Sequence, residues 1–228
     1  MMIGDIVGYP ALKHFLKQLP SLKQTYDADF VCVNGENVDH GKGLDSAQAE
    51  ELKKAGVSVV TSGNHIWQSK TRNVLTSYKG FVIRPINYPS ANEGQGSTVV
   101  QIGEQKIGVI NAIGRTFMPD QVNDPFEAVS QEVERLKVET NIILVDFHGE
   151  ATAEKMACAY YLDGQISALV GTHTHVQTAD EKILPNGTAY ITDLGMTGPT
   201  DSVIGMDKDQ AIKRFRMGTP THYQLSTS

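Results

Sequence analysis

The residues best suited to chemistry in this chain are carboxylate, amide and imidazole side chains that stand far apart in the sequence. Each group follows a short apolar or β-branched run of the kind that forms a buried strand. The groups are Asp5, the segment 34–37, Asn64 with His65, His148, and the segment 173–175. Such side chains supply oxygen and nitrogen ligands to divalent metal ions. Because ligands bind at the carboxyl ends of strands in open α/β sheets, the pattern predicts two overlapping metal shells at one sheet edge.

Three of these groups have a simpler interpretation when each is taken alone. Asp5 suits the cap of a following turn, and Asn64 after a glycine suits a turn. His148 ends the apolar run 142–147, where a core histidine satisfied by hydrogen bonds is the ordinary alternative to a metal ligand. The interpretation as metal ligands depends on these side chains meeting at one edge of the sheet.

The remaining groups are more specific. His173 and His175 are two residues apart, so on an extended segment both imidazoles face the same way, and the alternative is a pair of solvated loop histidines. Glu36 follows a predicted buried strand, where an acidic residue is a poor choice for packing. Together these residues favour a metal site.

The elements that must position these side chains alternate between strand-like and helix-like segments, which predicts a layered α/β domain. Helices are expected after Pro10 and over 45–55, 125–137, 152–162 and 207–216. Strands are expected over 1–3, 29–33, 57–61, 82–86, 142–147, 166–170 and 221–225. Turn residues at Gly103-Glu104 and Asn186-Gly187 predict two hairpins. The mixture indicates two sheets with outer helices.

Composition and charge exclude several classes of protein. The 228 residues are 40% hydrophobic and 20% charged, and we expect one globular domain over 1–228. We see no apolar run long enough for a membrane span and no leader-like start. Two cysteines, Cys32 and Cys158, sit in apolar segments, so a reducing, cytoplasmic compartment is expected. A net charge of −6 with scattered Lys and Arg argues against a long RNA or DNA ligand.

Six stretches form a specific combination: Gly4-Asp5-Ile6-Val7-Gly8, Asn34-Gly35-Glu36-Asn37, Gly63-Asn64-His65-Ile66-Trp67, the segments 146–152 and 171–180, and Thr192-Asp193-Leu194-Gly195-Met196-Thr197-Gly198-Pro199. In this order they closely resemble the YmdB-type branch of the calcineurin-like metallophosphoesterases, over nearly the full chain. The resemblance implies a four-layer α/β/β/α sandwich with two mixed sheets. Against that family, the single domain is expected to be short at its N-terminus and truncated at its C-terminus.

The resemblance also implies a ligand set for two divalent ions. One ion would take Asp5, Glu36, Asn37 and His175, and the other would take Glu36, Asn64, His148 and His173, with Glu36 as the bridge. Val7 stands where the wider superfamily has a histidine, and Glu36 replaces its usual aspartate, both of which are typical of this branch. A nitrogen and oxygen ligand set suits Fe, Mn²⁺ or Zn²⁺ without choosing among them.

The implied activity is hydrolysis of small phosphodiesters by a hydroxide that bridges the two ions, with His65 as the general acid outside both shells. The expected substrates are 2′,3′- or 3′,5′-cyclic nucleotides, between which the sequence does not choose. Two alternatives stay open: a phosphomonoesterase, and a regulatory protein that influences RNA turnover through an RNA-processing protein partner. A homo-oligomer also stays open.

Overall fold

The computed structural model describes residues 1–219 and 224–226, and only the backbone of residues 69–72. The predicted strand over 221–225 therefore lies mostly outside the described part. Its strands are β1 (Met2–Ile3), β2 (Asp5–Ile6), β3 (Cys32–Asn34), β4 (Val59–Thr61), β5 (Ser97–Ile102), β6 (Gln105–Ile113), β7 (Ile142–His148), β8 (Ala168–Thr172), β9 (Lys182–Ile183), β10 (Ala189–Ile191) and β11 (Met196–Thr197). Its helices are α1 (Tyr9–Thr25), α2 (Ser46–Lys54), α3 (Ser69–Ser77), α4 (Pro125–Leu136), α5 (Thr152–Tyr161) and α6 (Lys208–Met217), with a 3-10 helix over Asn64–Trp67. Of the helices just given, none is both long and apolar enough to cross a membrane.

Side-chain caps set where two of the helices begin. The carboxylate of Asp45 accepts the backbone N–H of Gln48 at 2.8 Å, and the side chain of Gln48 accepts the N–H of Asp45 at 2.9 Å. This reciprocal pair satisfies two N–H groups that α2 cannot bond internally. At the start of α4, Asp124 accepts two backbone N–H groups and Pro125 occupies the first turn, where its missing N–H costs nothing. The predicted starts of both helices are confirmed.

The strands form two main sheets. The first consists of β1, β3 and β4, which lie side by side and parallel, whereas β2 and β11 pair in parallel in a small separate sheet. The second has the order β5-β6-β7-β8-β10-β9, parallel in its centre and antiparallel at β5–β6 and β9–β10. Both predicted hairpins are confirmed. The α/β architecture with mixed pairing is also confirmed, and among the strands given above the antiparallel pairs are β5–β6 and β9–β10 of the second sheet.

Three apolar clusters arrange sheets and helices in four layers. The first packs α1, α2 and α3 on the first sheet, through residues such as Leu12, Leu52 and Val33. The second packs α4 and α5 on the second sheet, through residues such as Val133, Cys158 and Val145. A third cluster joins the facing sides of the two sheets through Cys32, Val59 and Val109. The α/β/β/α order implied by the resemblance is therefore present.

The segment 82–86 is not a strand, so that prediction was wrong. Its first half follows the first sheet, where Ile83 donates its N–H to the carbonyl of Val60 at 2.9 Å. Three residues later Ile86 donates to the carbonyl of Asn111 in β6, at 2.8 Å. Pro85, which has no N–H, stands between them. The segment crosses from one sheet to the other and cannot form a continuous ladder with either.

Candidate metal centre

All eight side chains predicted to act at the site lie at one edge of the molecule. Each is at or just beyond the carboxyl end of a strand. Asp5 lies just beyond β1 and begins β2, Glu36 and Asn37 follow β3, Asn64 and His65 follow β4, His148 ends β7, and His173 and His175 follow β8. Strands β3 and β4 belong to the first sheet and β7 and β8 to the second. The site is therefore built where the edges of the two sheets meet.

The first group of side chains surrounds Nε2 of His148. That atom lies 3.2 Å from Oε1 of Glu36, 3.1 Å from Oδ1 of Asn64 and 3.0 Å from Nδ1 of His173. Glu36, His148 and His173 each offer a ligand atom, and these atoms lie within 4.8 Å of one another. At this spacing the three side chains could hold one metal ion together.

The hydrogen bonds behind this group show why a cation fits it. The hydroxyl of Thr172 donates to Oδ1 of Asp146 at 2.7 Å, so its oxygen accepts the Nδ1–H of His148 at 3.0 Å. With its proton on Nδ1, His148 turns a lone pair toward Glu36 and Asn64, which also offer lone pairs. Electron-pair donors at such distances repel one another unless a proton or a metal ion lies among them. The donor set therefore fits a divalent cation.

The second group consists of Asp5, Asn37 and His175. Nδ1 of His175 lies 3.0 Å from the carbonyl oxygen of Ile204, which can only accept, so this nitrogen carries the proton and Nε2 is free to bind. That Nε2 lies 3.9 Å from Oδ1 of Asp5 and 3.0 Å from Nδ2 of Asn37. Nδ2 of Asn37 is also 3.4 Å from Oδ1 of Asp5 and 3.4 Å from Oε1 of Glu36. Glu36 thus contacts both groups.

The amide of Asn37 is placed at the site but turned differently from the predicted ligand. Its nitrogen faces Asp5, Glu36 and His175, while its oxygen accepts from Nδ1 of His65 at 2.8 Å. A metal ion binds the amide oxygen and not the nitrogen. Asn37 can therefore act as a ligand only after its amide rotates by half a turn, an exchange that leaves the shape of the side chain unchanged.

Burial and mutual attraction shift the pKa values within the centre. Burial works against the charged imidazole of His148, but the Glu36 carboxylate raises its pKa to about 9. Burial likewise works against the carboxylate of Glu36, but the charge on His148 holds its pKa well below the usual range. Burial, and to a smaller extent repulsion from His148, lowers the pKa of His173 to about 3. Burial raises the pKa of Asp5 to about 6. One proton on His148 thus balances the buried carboxylate of Glu36.

His65 lies beside the centre and not inside it. Its backbone N–H donates to Oε2 of Glu36 at 3.1 Å, and its Nδ1 is 3.3 Å from Oε1 of Glu36. About a quarter of its side chain, 26%, is exposed, whereas Glu36 and His148 are almost wholly buried. The imidazole is therefore fixed through Nδ1 at the boundary between the centre and solvent.

Backbone conformation brings the donors this close. A Cβ atom on Gly63 would stand 2.3 Å from both Oε2 of Glu36 and Nε2 of His148, so only glycine leaves room for them. His173 and His175 have positive φ angles of 107° and 66°, which residues with side chains rarely adopt. The site is held together at some local cost to the backbone.

The sequence pattern did not assign roles to the residues that support the centre. Asp146, fully buried in β7, accepts from the hydroxyls of Thr61 and Thr172 and from the amide of Asn34 at 3.3 Å. The amide oxygen of Asn34 in turn accepts the backbone N–H of Glu36 at 3.1 Å. The available signal was an acidic residue inside the apolar run 142–147. It could have indicated a buried carboxylate with polar partners.

Comparison with known proteins identifies the family of this chain. The model of the YmdB-like protein family matches residues 1–228. The chain belongs to the YmdB-like family. A similar protein is the 2′,3′-cyclic-nucleotide 2′-phosphodiesterase of Bacillus subtilis (strain 168), with 43% identity over 226 residues, covering 99% of this chain and 85% of that protein. The family resemblance is confirmed, and with it the prediction that this chain is a phosphoester hydrolase.

Two solved structures match the fold closely. A hypothetical protein from Thermus thermophilus superposes with a TM-score of 0.92 at 39% identity, covering 100% of this chain and 88% of the other. A structure described as a novel phosphatase, from Mycoplasma pneumoniae, gives a TM-score of 0.91 at 39% identity, covering 99% and 82%. Both agree with the metallophosphoesterase fold implied by the sequence motifs.

Proposed function

We propose that the protein is a phosphodiesterase that works with two divalent metal ions sharing Glu36. The supporting observation is the position of Oε1 of Glu36, which lies 3.2 Å from Nε2 of His148 and 3.4 Å from Nδ2 of Asn37. One ion would be held by Asp5, Glu36, Asn37 and His175, and the other by Glu36, Asn64, His148 and His173. When bound, such a pair supplies an activated water and neutralises charge on the phosphoryl oxygens.

Exposure indicates the side from which a substrate reaches the centre. The side chains of Asp5, Glu36 and His148 are at most 1% exposed, and they close the floor of the site. His65 and His173 are 26% and 23% exposed. A phosphate ester therefore approaches along the face that these two imidazoles border, with its leaving group toward solvent.

His65 is suited to protonate the leaving oxygen on that face. Its Nδ1 is anchored on Oδ1 of Asn37, which leaves Nε2 to carry the proton that is transferred. If Asn37 rotates its amide to bind a metal ion, the Nδ1–H of the His65 imidazolium donates instead to Oε1 of Glu36, 3.3 Å away. Both arrangements place the transferable proton on the same nitrogen.

The name of a relative supports a substrate class for this chain. The name of the similar Bacillus subtilis protein gives 2′,3′-cyclic nucleotides as its substrate, which supports the same class for this chain ahead of 3′,5′-cyclic nucleotides. We propose Fe, Mn²⁺ or Zn²⁺ as the metal, because the centre offers carboxylate, amide and imidazole ligands and no thiolate. The cytoplasmic location, a homo-oligomer and an RNA-processing partner stay predictions.

A phosphomonoesterase is the second candidate, because the similar Mycoplasma pneumoniae structure is described as a phosphatase. Turnover of bis(p-nitrophenyl) phosphate and of p-nitrophenyl phosphate by the Mn²⁺-loaded protein separates the two. We expect a higher kcat/KM for the diester, and for 2′,3′-cyclic AMP over 2′-AMP and 3′-AMP. Faster turnover of the monoesters would reverse the assignment. Absence of turnover on all five compounds, with metal bound, would contradict the enzymatic proposal.

A further inference from the structure

A buried ion pair lies behind the segment that carries His173 and His175. Nζ of Lys155, on α5, is 2.8 Å from Oδ2 of Asp193, in the loop after β10, and both side chains are wholly buried. Neither residue belongs to the proposed ligand set. A buried ion pair needs an explanation other than stability, because desolvation of the two charges offsets most of their attraction.

The pair binds the backbone on both sides of His173. Nζ of Lys155 donates to the carbonyl of Thr172 at 2.8 Å, one residue before the histidine. Oδ2 of Asp193 accepts the N–H of Thr174 at 3.1 Å, one residue after it. Hydrogen bonds to charged groups are stronger than those between neutral groups. Apolar side chains of the same volume could fill this space but could not hold these two backbone groups.

The same contacts continue toward His175. Oδ1 of Asp193 accepts the N–H of Gly195 at 2.8 Å, and the next residue, Met196, donates its N–H to the carbonyl of His175 at 3.2 Å. The loop that carries Asp193 thus lies along the histidine segment from Thr174 to His175. The carboxylate of Asp193 therefore binds the backbone of both segments, the histidine segment at Thr174 and its own loop at Gly195.

The conformation held in this way is an unfavourable one. His173 and His175 both have positive φ angles, and such conformations persist only where the surrounding structure determines them. Gly171 marks how tightly the segment is packed, because a Cβ there would collide with the carbonyl oxygen of Thr192 and lie 2.8 Å from Cδ of Lys155. Without firm anchors, the segment would relax and its imidazoles would turn away from the centre.

We propose that Lys155 and Asp193 are positioning residues that preorganise His173 and His175 for metal binding. The inference rests on the proposed function, since it takes both histidines to be ligands. The pair does not touch substrate or metal itself. Its effect is expected in the affinity of the centre for metal, more than in the stability of the metal-free fold.

The test is a titration of chelator-stripped protein with Mn²⁺ in a calorimeter, which measures the affinity for the ion. Thermal unfolding of the metal-free protein is measured alongside it. The main variant is Lys155→Met/Asp193→Asn, which removes both charges together and leaves no uncompensated buried ion. Asp193→Asn alone is the second variant, and it leaves the Lys155 cation buried without a counter-charge, so it is the more disruptive of the two. The matched control is Arg84→Met, because Arg84 is another buried cation that donates to backbone carbonyls, those of Pro85, Asn92 and Glu93, where no proposed ligand lies.

We expect the double variant to bind Mn²⁺ about 10–100-fold more weakly than wild type, as for other residues that orient metal ligands. Asp193→Asn should weaken binding at least as much as the double variant and lower the unfolding temperature further, whereas Arg84→Met should lower the unfolding temperature without changing the Mn²⁺ affinity. Mn²⁺ affinity within twofold of wild type in both variants of the ion pair would overturn the inference alone. A wild-type protein that takes up no Mn²⁺ would instead overturn the proposed function on which it rests.

Discussion

Oε1 of Glu36 lies 3.2 Å from Nε2 of His148, and both side chains are buried. The same oxygen lies 3.3 Å from Nδ1 of His65 and 3.4 Å from Nδ2 of Asn37. One carboxylate oxygen therefore contacts a proposed ligand from each metal shell and the proposed acid. Changes at Glu36 should affect the whole centre, whereas changes at His65 should affect catalysis only.

Glu36→Gln is expected to reduce the metal content of the protein. The substitution keeps the size of the side chain but removes its negative charge, which would balance both cations. Metal analysis of the purified protein should find fewer than two ions per chain. Glu50→Gln, on the surface of α2, is the control and should leave the content unchanged. Two ions at full occupancy in Glu36→Gln would contradict the bridging role.

His65→Ala is expected to lower kcat for 2′,3′-cyclic AMP by about 10²- to 10⁴-fold while the metal content stays at the wild-type level. The reason is the loss of the proton that neutralises the leaving oxygen. The nitrophenolate of bis(p-nitrophenyl) phosphate leaves without protonation, so its turnover should fall much less. Equal losses on both substrates would argue against proton donation, and unchanged turnover of the cyclic nucleotide would exclude it.

Thr172→Val is expected to weaken metal binding through His148. The hydroxyl of Thr172 accepts from Nδ1 of His148 and donates to Asp146, so its removal frees the imidazole to rotate. We expect about 10–100-fold weaker Mn²⁺ binding and a free energy of unfolding lower by about 1–3 kcal/mol. Thr61→Val removes another hydroxyl from the same carboxylate without touching a proposed ligand. Equal Mn²⁺ affinities in the two variants would show that Thr172 does not orient His148.

Metal binding is expected to release a proton from His148. Its folded pKa of about 9 lies above the ordinary 6.5, so its charged pair with Glu36 stabilises the metal-free protein fully below pH 6.5 and is lost as pH rises through 9. A metal ion must displace that proton, so affinity should fall by about tenfold for each pH unit below 9. Mn²⁺ calorimetry in buffers of different ionisation enthalpy counts the protons. An affinity that does not vary with pH between about 7 and 8.5 would contradict this competition.

Much of the fold could be predicted because its signals are local. The signals for a helix start at Asp45 and for hairpin turns at Gly103 and Asn186 act within a few residues, and the structure confirms each of them. The segment 82–86 was predicted wrongly because its composition suits a strand, whereas its hydrogen bonds go to two different sheets on either side of Pro85. A composition signal cannot show which sheet a segment joins.

For the site, too, the features with a signal in the sequence could be predicted, and those that depend on contacts between distant elements could not. Polar residues after strand ends could be recognised because the topology of an α/β sheet brings strand ends together. The orientation of the Asn37 amide could not be predicted from the sequence, because it depends on a contact with His65 across the site. Lys155 and Asp193 also escaped prediction, because a lysine within a helix is ordinarily exposed and its burial depends on a partner in another element.

The central claim is that two metal ions at the Glu36 centre support phosphodiester hydrolysis. The most direct test is a stepwise Mn²⁺ titration of chelator-stripped protein with hydrolysis of 2′,3′-cyclic AMP measured at each step. We predict that activity is absent in the stripped protein and reaches its maximum at two ions bound per chain. Undiminished hydrolysis by the stripped protein, or a folded protein that stays inactive with both ions bound, would contradict the claim.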